Sequence, residues 1–147
     1  AEREGFPTVT EQHVRLAQQK IERDRVSEVL KTLPIHSKLL LTAVHCLNIK
    51  LPEGAITGDI YEVYNELCGE AGIEPLTQRR VSTLVSELDV MGILNARVVS
   101  FGRYGRTKRI RLAASSKAII EVFSEDSLVG RLLKHVPKCL QQRRISP

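Results

Sequence analysis

A mainly α-helical domain carrying one β-hairpin is the fold class that this sequence predicts, and three observations predict it. Apolar residues recur at i, i+3, i+4 and i+7 through successive stretches as far as Met91, which is the helical period. The period then shortens toward two on either side of a glycine-containing polar segment, between Ile93 and Leu112. At 147 residues with 42% hydrophobic but only 4% aromatic residues and no Trp, the chain suits one domain, or one domain with a flanking fragment, around an aliphatic core and excludes a disordered tail.

Taken in order, Thr8 and Glu11 have the spacing of a capping box, with Pro7 just outside it. The helix they start puts Val14, Ala17 and Ile21 on one stripe. The next apolar set, Val26, Val29, Leu30 and Leu33, is rotated away from it, and the charged tetrad Glu22-Arg23-Asp24-Arg25 lies between them. Two faces serving two cores are expected, with a domain boundary near residue 24 and a backbone able to stay helical through it. Pro34 stops the run, because its ring cannot donate to the helix ladder.

From His36 to Ile49 the residues are almost wholly apolar, as in a central buried helix. Pro52-Glu53-Gly54 reads as a turn. Thr57 is the expected cap of a helix with Ile60, Val63, Tyr64, Leu67 and Ala71 inside, ending near Gly72. Thr77 is the expected cap of another, with Val81, Leu84, Val85, Leu88 and Met91 inside and Gly92 at its end. Ile93–Phe101 and Lys108–Leu112 read as strands around the polar turn Gly102–Thr107. A last helix is expected from about Ser116 to Phe123 and again from Ser127 to His135, before a frayed tail at Gln141–Arg144. Helices followed by a hairpin in this order make a winged helix-turn-helix.

Several function classes drop out. No apolar run is long enough to span a membrane, and the start has no signal-peptide layout. Cys46, Cys68 and Cys139 are an odd, scattered set without metal spacing, which fits a reducing, cytoplasmic setting; Cys46 and Cys68 read as small core residues. His13, His36, His45 and His135 also lack metal spacing and read as structural. No phosphate-binding loop, nucleophile elbow or carboxylate pair is present, so no catalytic residue is expected. The chain opens with Ala1, as a processed protein or a piece of a longer one would.

Charge is more informative than its total of +5. Residues 53–74 hold six acids and no Lys or Arg, whereas Val90–Ile120 carries seven basic residues and no acid. Cations gathered in one stretch make an electrostatic face. On the helix after Thr77, the side away from the core holds Arg79, Ser82, Thr83 and Ser86, flanked by Gln78 and Arg80. Short hydroxyls let a helix sit deep in a major groove, while Arg and Gln make bidentate contacts to guanine or adenine. Its N-terminal turn offers backbone N–H groups to a phosphate. The alternative is a solvated face, although such faces usually mix Glu with Lys and this one has no acid before Glu87.

The hairpin candidates are Arg97, Ser100, Gly102, Arg103, Tyr104, Gly105, Arg106, Thr107, Lys108 and Arg109, with Arg111 beside them. A thin basic finger of this kind suits a minor groove, where negative potential favours arginine. The alternative is charge that keeps an edge strand from aggregating.

The run from Pro75-Leu76-Thr77-Gln78-Arg79-Arg80 to Ser100, then Gly102-Arg103-Tyr104-Gly105-Arg106-Thr107-Lys108 and Ile110-Arg111-Leu112, resembles the archaeal origin-recognition initiators, relatives of the eukaryotic Orc and Cdc proteins. The opening does too, in Val9-Thr10-Glu11-Gln12-His13-Val14, Ile21-Glu22-Arg23-Asp24-Arg25-Val26 and Leu33-Pro34-Ile35-His36-Ser37-Lys38-Leu39. The resemblance covers nearly the whole chain and fades after about Leu133. It implies that residues 1–24 end an AAA+ lid domain and that residues 25–147 form the winged-helix domain. It also implies sequence-specific binding of double-stranded origin DNA, with the helix after Thr77 in the major groove and the wing in the minor groove. MCM helicase and other initiator subunits are the implied protein partners, in the nucleoid. The family's ATP or ADP and Mg are held by a domain whose motifs have no counterpart here, so no cofactor and no enzyme activity are expected of this chain. A winged-helix transcription regulator and a protein-interaction module, docking through the acidic stretch or the wing, are the competing readings.

Overall fold

The charged tetrad Glu22–Arg25 does not interrupt the first helix: α1 runs unbroken from Glu11 to Thr32. The computed structural model describes residues 11–100 and 106–140, so Thr8 of the expected capping box lies outside the described residues. The stripe expected to serve a first core stands in solvent, with Ile21 67% exposed. Packing starts one turn later, where Val26 and Val29 lie against the core and Leu30 is fully buried. Pro34 separates α1 from α2 (Ile35–Asn48), which is buried continuously from Leu39 to Leu47. A helix surrounded on all sides by other elements must be apolar all round, as its sequence requires.

A two-residue strand, β1 (Ala55–Ile56), precedes α3 (Thr57–Ala71) and was not expected. The expected cap also differs. Ile56 occupies the cap position, and the Thr57 hydroxyl instead donates to the Lys108 carbonyl at 3.4 Å. Thr57 thus ties α3 to the sheet rather than closing its own helix end. At the other end, the N–H groups of Gly72 and Ile73 return to the carbonyls of Gly69 and Cys68.

The link to the next helix, α4 (Gln78–Val90), is held by part-buried polar contacts. The Tyr64 hydroxyl accepts from the Leu76 N–H at 2.9 Å and pairs with His36 Nδ1 at 2.7 Å; Tyr61 donates to the Leu76 carbonyl at 3.3 Å. Val81, Val85 and Leu88 bury the inner face of α4. Met91, expected on that stripe, lies beyond the helix and is 45% exposed.

The hairpin consists of β2 (Leu94–Ser100) and β3 (Arg106–Leu112). The sheet is antiparallel in the order β1-β3-β2, with Ala96 opposite Ile110 and Ala55 on the other side of the same Ile110. Arg106 and Thr107 thus belong to a strand and not to the turn expected to contain them. Side chains secure both flanks: Asn48 Oδ1 accepts from the Leu112 N–H at 2.8 Å, and Asp89 Oδ1 from the Ala96 N–H at 3.4 Å.

A final helix, α5 (Ser116–Phe123), begins with the Ser115 hydroxyl accepting from the Lys117 N–H. The expected second helical stretch, Ser127–His135, is not an α-helix; it contains one 3-10 turn, Gly130–Leu132. Asp126 redirects the chain, its carboxylate accepting from the N–H groups of Leu128 and Val129 and from Lys38 Nζ. A Cβ on Gly130 would stand 2.9 Å from the Phe123 carbonyl oxygen, so the segment folds back against the end of α5 only because this residue has none. The expected frayed tail lies outside the described residues. Helices α2, α3 and α4 followed by the β2–β3 hairpin form the winged-helix arrangement.

Candidate nucleic-acid interface

Thr77 starts α4 as its sequence predicts, accepting from the Arg80 N–H at 3.3 Å. That cap fixes which side chains follow in the first turn. Gln78, Arg79, Arg80, Thr83 and Ser86 are exposed and Ser82 is half-buried, while Val81, Val85 and Leu88 anchor the opposite side. Among the described residues neither arginine is in an ion pair. The Thr83 hydroxyl donates back to the Arg79 carbonyl at 3.2 Å, leaving its oxygen as an outward acceptor. The face therefore presents two free guanidinium groups, one amide and short hydroxyls.

The hairpin cations do not form one group. Register and the two-residue alternation of strands put Arg97, Arg109 and Arg111 on one side of the sheet. Lys108 falls on the other, in line with the buried Ile110. Arg97 lies directly opposite Arg109, Val99 opposite Thr107, and Ser100 opposite Arg106. Gly102, Arg103, Tyr104 and Gly105 lie outside the described residues. Arg111, two positions past the expected wing set and already named beside it, shares the arginine face.

Glu53, which the sequence places only in a turn and an acidic stretch, also takes part. Its Oε2 stands 3.9 Å from Arg109 Nη1, although the two are far apart in the chain. Only the pairing of β1 with β3 brings them together, and a two-residue strand leaves no periodicity to read. The remaining acids of the 53–74 stretch are partly committed to the fold as well. Glu66 and Glu70, one turn apart on α3, contact the two ring nitrogens of His135, each at 2.7 Å.

Other reactive side chains are structural. His36 contacts Tyr64, and His45 is buried. Burial, with smaller contributions from Glu66 and Glu70, pushes the Cys46 thiol up to about 12, far from nucleophilic range. Among the described residues no group of His, Cys, Asp or Glu is arranged to hold a metal ion, and no helix is long and apolar enough to cross a membrane. A cavity of about 610 Å³ between α1 and α5 contains none of the candidate residues. The chemistry on offer is that of solvent-facing cations and hydroxyls on α4 and on the hairpin.

Residues 28–122 match the family described as CDC6, C terminal winged helix domain. The chain belongs to this family. The winged-helix domain of the Orc1/Cdc6 replication initiators is thus the setting for α4 and its hairpin. The chain is similar to the ORC1-type DNA replication protein of Pyrococcus furiosus, at 53% identity over 99% of this chain and 34% of that protein. The same-named protein of Thermococcus onnurineus is 56% identical over 90% of this chain and 32% of its own length. Among solved structures, the Aeropyrum pernix ORC1 protein in complex with DNA superposes with a TM-score of 0.76 and 48% identity, covering 84% of this chain and 32% of that one. The chain spans about a third of the length of these relatives.

Proposed function

We propose that this domain binds double-stranded DNA at replication origins and contributes sequence preference there. In this reading α4 enters the major groove and the β2–β3 wing tracks the adjacent minor groove. The observation that carries it is the outer face of α4, where Arg79 and Arg80 are exposed and unpaired among the described residues at a capped helix start. The likeness to an ORC1 structure solved with DNA supports the same reading. Residues 1–24 would be the end of the preceding lid domain, in accord with the exposure of Ile21 and with the family match beginning at residue 28. Nucleotide and Mg would be bound elsewhere in the parent protein. MCM helicase and other initiator subunits would be its protein partners, in the nucleoid.

Salt titration of duplex binding tests the proposal. If about five cations meet phosphates, log K falls against log salt with a slope near −4.5, at about −0.9 per contact. Arg79→Ala and Arg80→Ala should each cost roughly 1–3 kcal/mol on preferred duplexes and less on others, where the contact is bidentate. Affinity independent of salt would rule out the proposal. A loss that is equal on every duplex would rule out base reading by α4.

A further inference from the structure

The turn from Leu51 to Gly54 leads into β1 and brings its backbone against β3. Gly54 has a φ of +118°, and its N–H donates to the Leu51 carbonyl at 2.9 Å. A Cβ at this position would stand 2.8 Å from Arg109 Cγ and 3.1 Å from the Ile110 carbonyl oxygen. The aliphatic stem of Arg109 therefore crosses bare glycine backbone. From that seat its guanidinium reaches the carboxylate of the preceding residue, Glu53, at 3.9 Å. Among the described residues Arg97, Lys108 and Arg111 have no such acid, so the pairing singles out Arg109.

A carboxylate and a backbone phosphate are alternative anions for one guanidinium fork. The Glu53 side chain is 88% exposed and that of Arg109 39%, so the pair is weak and accessible to a competing anion. We infer that Glu53 is a positioning residue that occupies the phosphate-binding place of Arg109 in the free domain and yields it when DNA arrives. The inference rests on the DNA-binding reading proposed above. Gly54 seats the stem, Glu53 engages the guanidinium, and a phosphate must displace the carboxylate before Arg109 engages. Such an internal competitor lowers affinity for every duplex. It reserves Arg109 for complexes in which docking of the rest of the surface carries a phosphate up to it.

A double-mutant cycle on duplex binding, read by fluorescence anisotropy across a salt series, tests this. Glu53→Gln should bind roughly two- to fivefold tighter than the wild type, the change expected from freeing one exposed ion pair. Arg109→Ala should bind more weakly, and Glu53→Gln added to it should gain nothing. Melting curves of each variant establish that it is folded. Equal gains with and without Arg109 would mean that Glu53 acts through long-range charge alone, and would overturn the inference. So would weaker binding by Glu53→Gln, since the carboxylate would then be holding Arg109 in its DNA-bound pose. Either result with a wild type that binds duplex leaves the DNA-binding proposal standing, whereas a wild type that binds no duplex removes both.

Discussion

Arg97 and Arg109 are direct cross-strand partners on β2 and β3, with Arg111 on the same face of the sheet. Directly opposed side chains in an antiparallel pair have Cβ atoms about 4.5–5.5 Å apart, and like charges there destabilise the sheet. Glu53 offsets the repulsion only at Arg109 and from an exposed position. A hairpin selected for stability alone would place Thr or a carboxylate opposite an arginine. Like charges opposed in this way carry a cost that a bound anion would offset.

Arg97→Thr should therefore raise stability while lowering DNA affinity. The expected gain is about 0.5 kcal/mol, within the range measured for cross-strand pairs, and the affinity loss should be severalfold. Thermal melts beside duplex titrations check both signs. A variant that melts lower than the wild type would show that the two guanidinium groups do not repel in the folded wing.

Tyr64→Phe should weaken DNA binding without removing a surface group. The phenol is fully buried, and its hydroxyl serves the Leu76 N–H and His36 Nδ1 together. Deleting it leaves both without that partner, at a cost of about 1–3 kcal/mol. Leu76 immediately precedes the Thr77 cap, so the loss loosens the entry into α4 as well as the core. Urea unfolding and duplex titration of the one variant should move together; a destabilised variant with unchanged affinity would separate the turn from the interface.

The same turn shows how much could be read from sequence. Pro75 and Thr77 announce the start of α4, and the spacing of Val81, Val85 and Leu88 assigns its buried side, because both signals are local. Its outward residues follow by elimination. Glu53 could not be found this way, since its partner Arg109 is reached only through a two-residue strand. The segment after α5 departs from its expected helix for a similar reason. Its apolar spacing from Leu128 to Leu133 is helical, but Asp126 and the close approach at Gly130 impose a tighter path through contacts with Lys38 and Phe123. Grouping the hairpin cations by nearness in sequence likewise hid the alternation that divides Lys108 from Arg109.

His45 should make the fold sensitive to mild acid. Burial holds its imidazole below the ordinary value of 6.5, and its Nδ1 has no hydrogen-bond partner among the described residues. The unfolded chain then takes up the proton first, so stability falls as pH drops below 6.5 and stops falling once the lower folded value is passed. The contribution has a slope of at most about 1.4 kcal/mol per pH unit. Urea midpoints of His45→Leu between pH 7.5 and 5.5 should depend less on pH than those of the wild type. Parallel curves would show that the buried imidazole takes up its proton without unfolding.

Asp126 has the opposite linkage and a lower window. Burial alone would raise its carboxyl, but the Lys38 ammonium and the N–H groups of Val129 and Leu128 outweigh that and hold it below the ordinary 3.8. A depressed carboxylate contributes stability that is complete above its unfolded value and drains as pH falls through the folded one. Lys38 Nζ stands 2.9 Å away, and the two side chains are only 17% and 21% exposed, so solvent screens the pair less than it would at the surface. Asp126→Asn keeps acceptors for the backbone N–H groups but leaves the Lys38 charge without its partner. It should cost about 1–2 kcal/mol at pH 7, and the gap to the wild type should close as pH drops below about 4, near the ordinary carboxylate range. Urea unfolding of both proteins at neutral and acid pH measures that gap. A constant difference across the range would assign the loss to packing around the Asp126 turn rather than to the charge of its carboxylate.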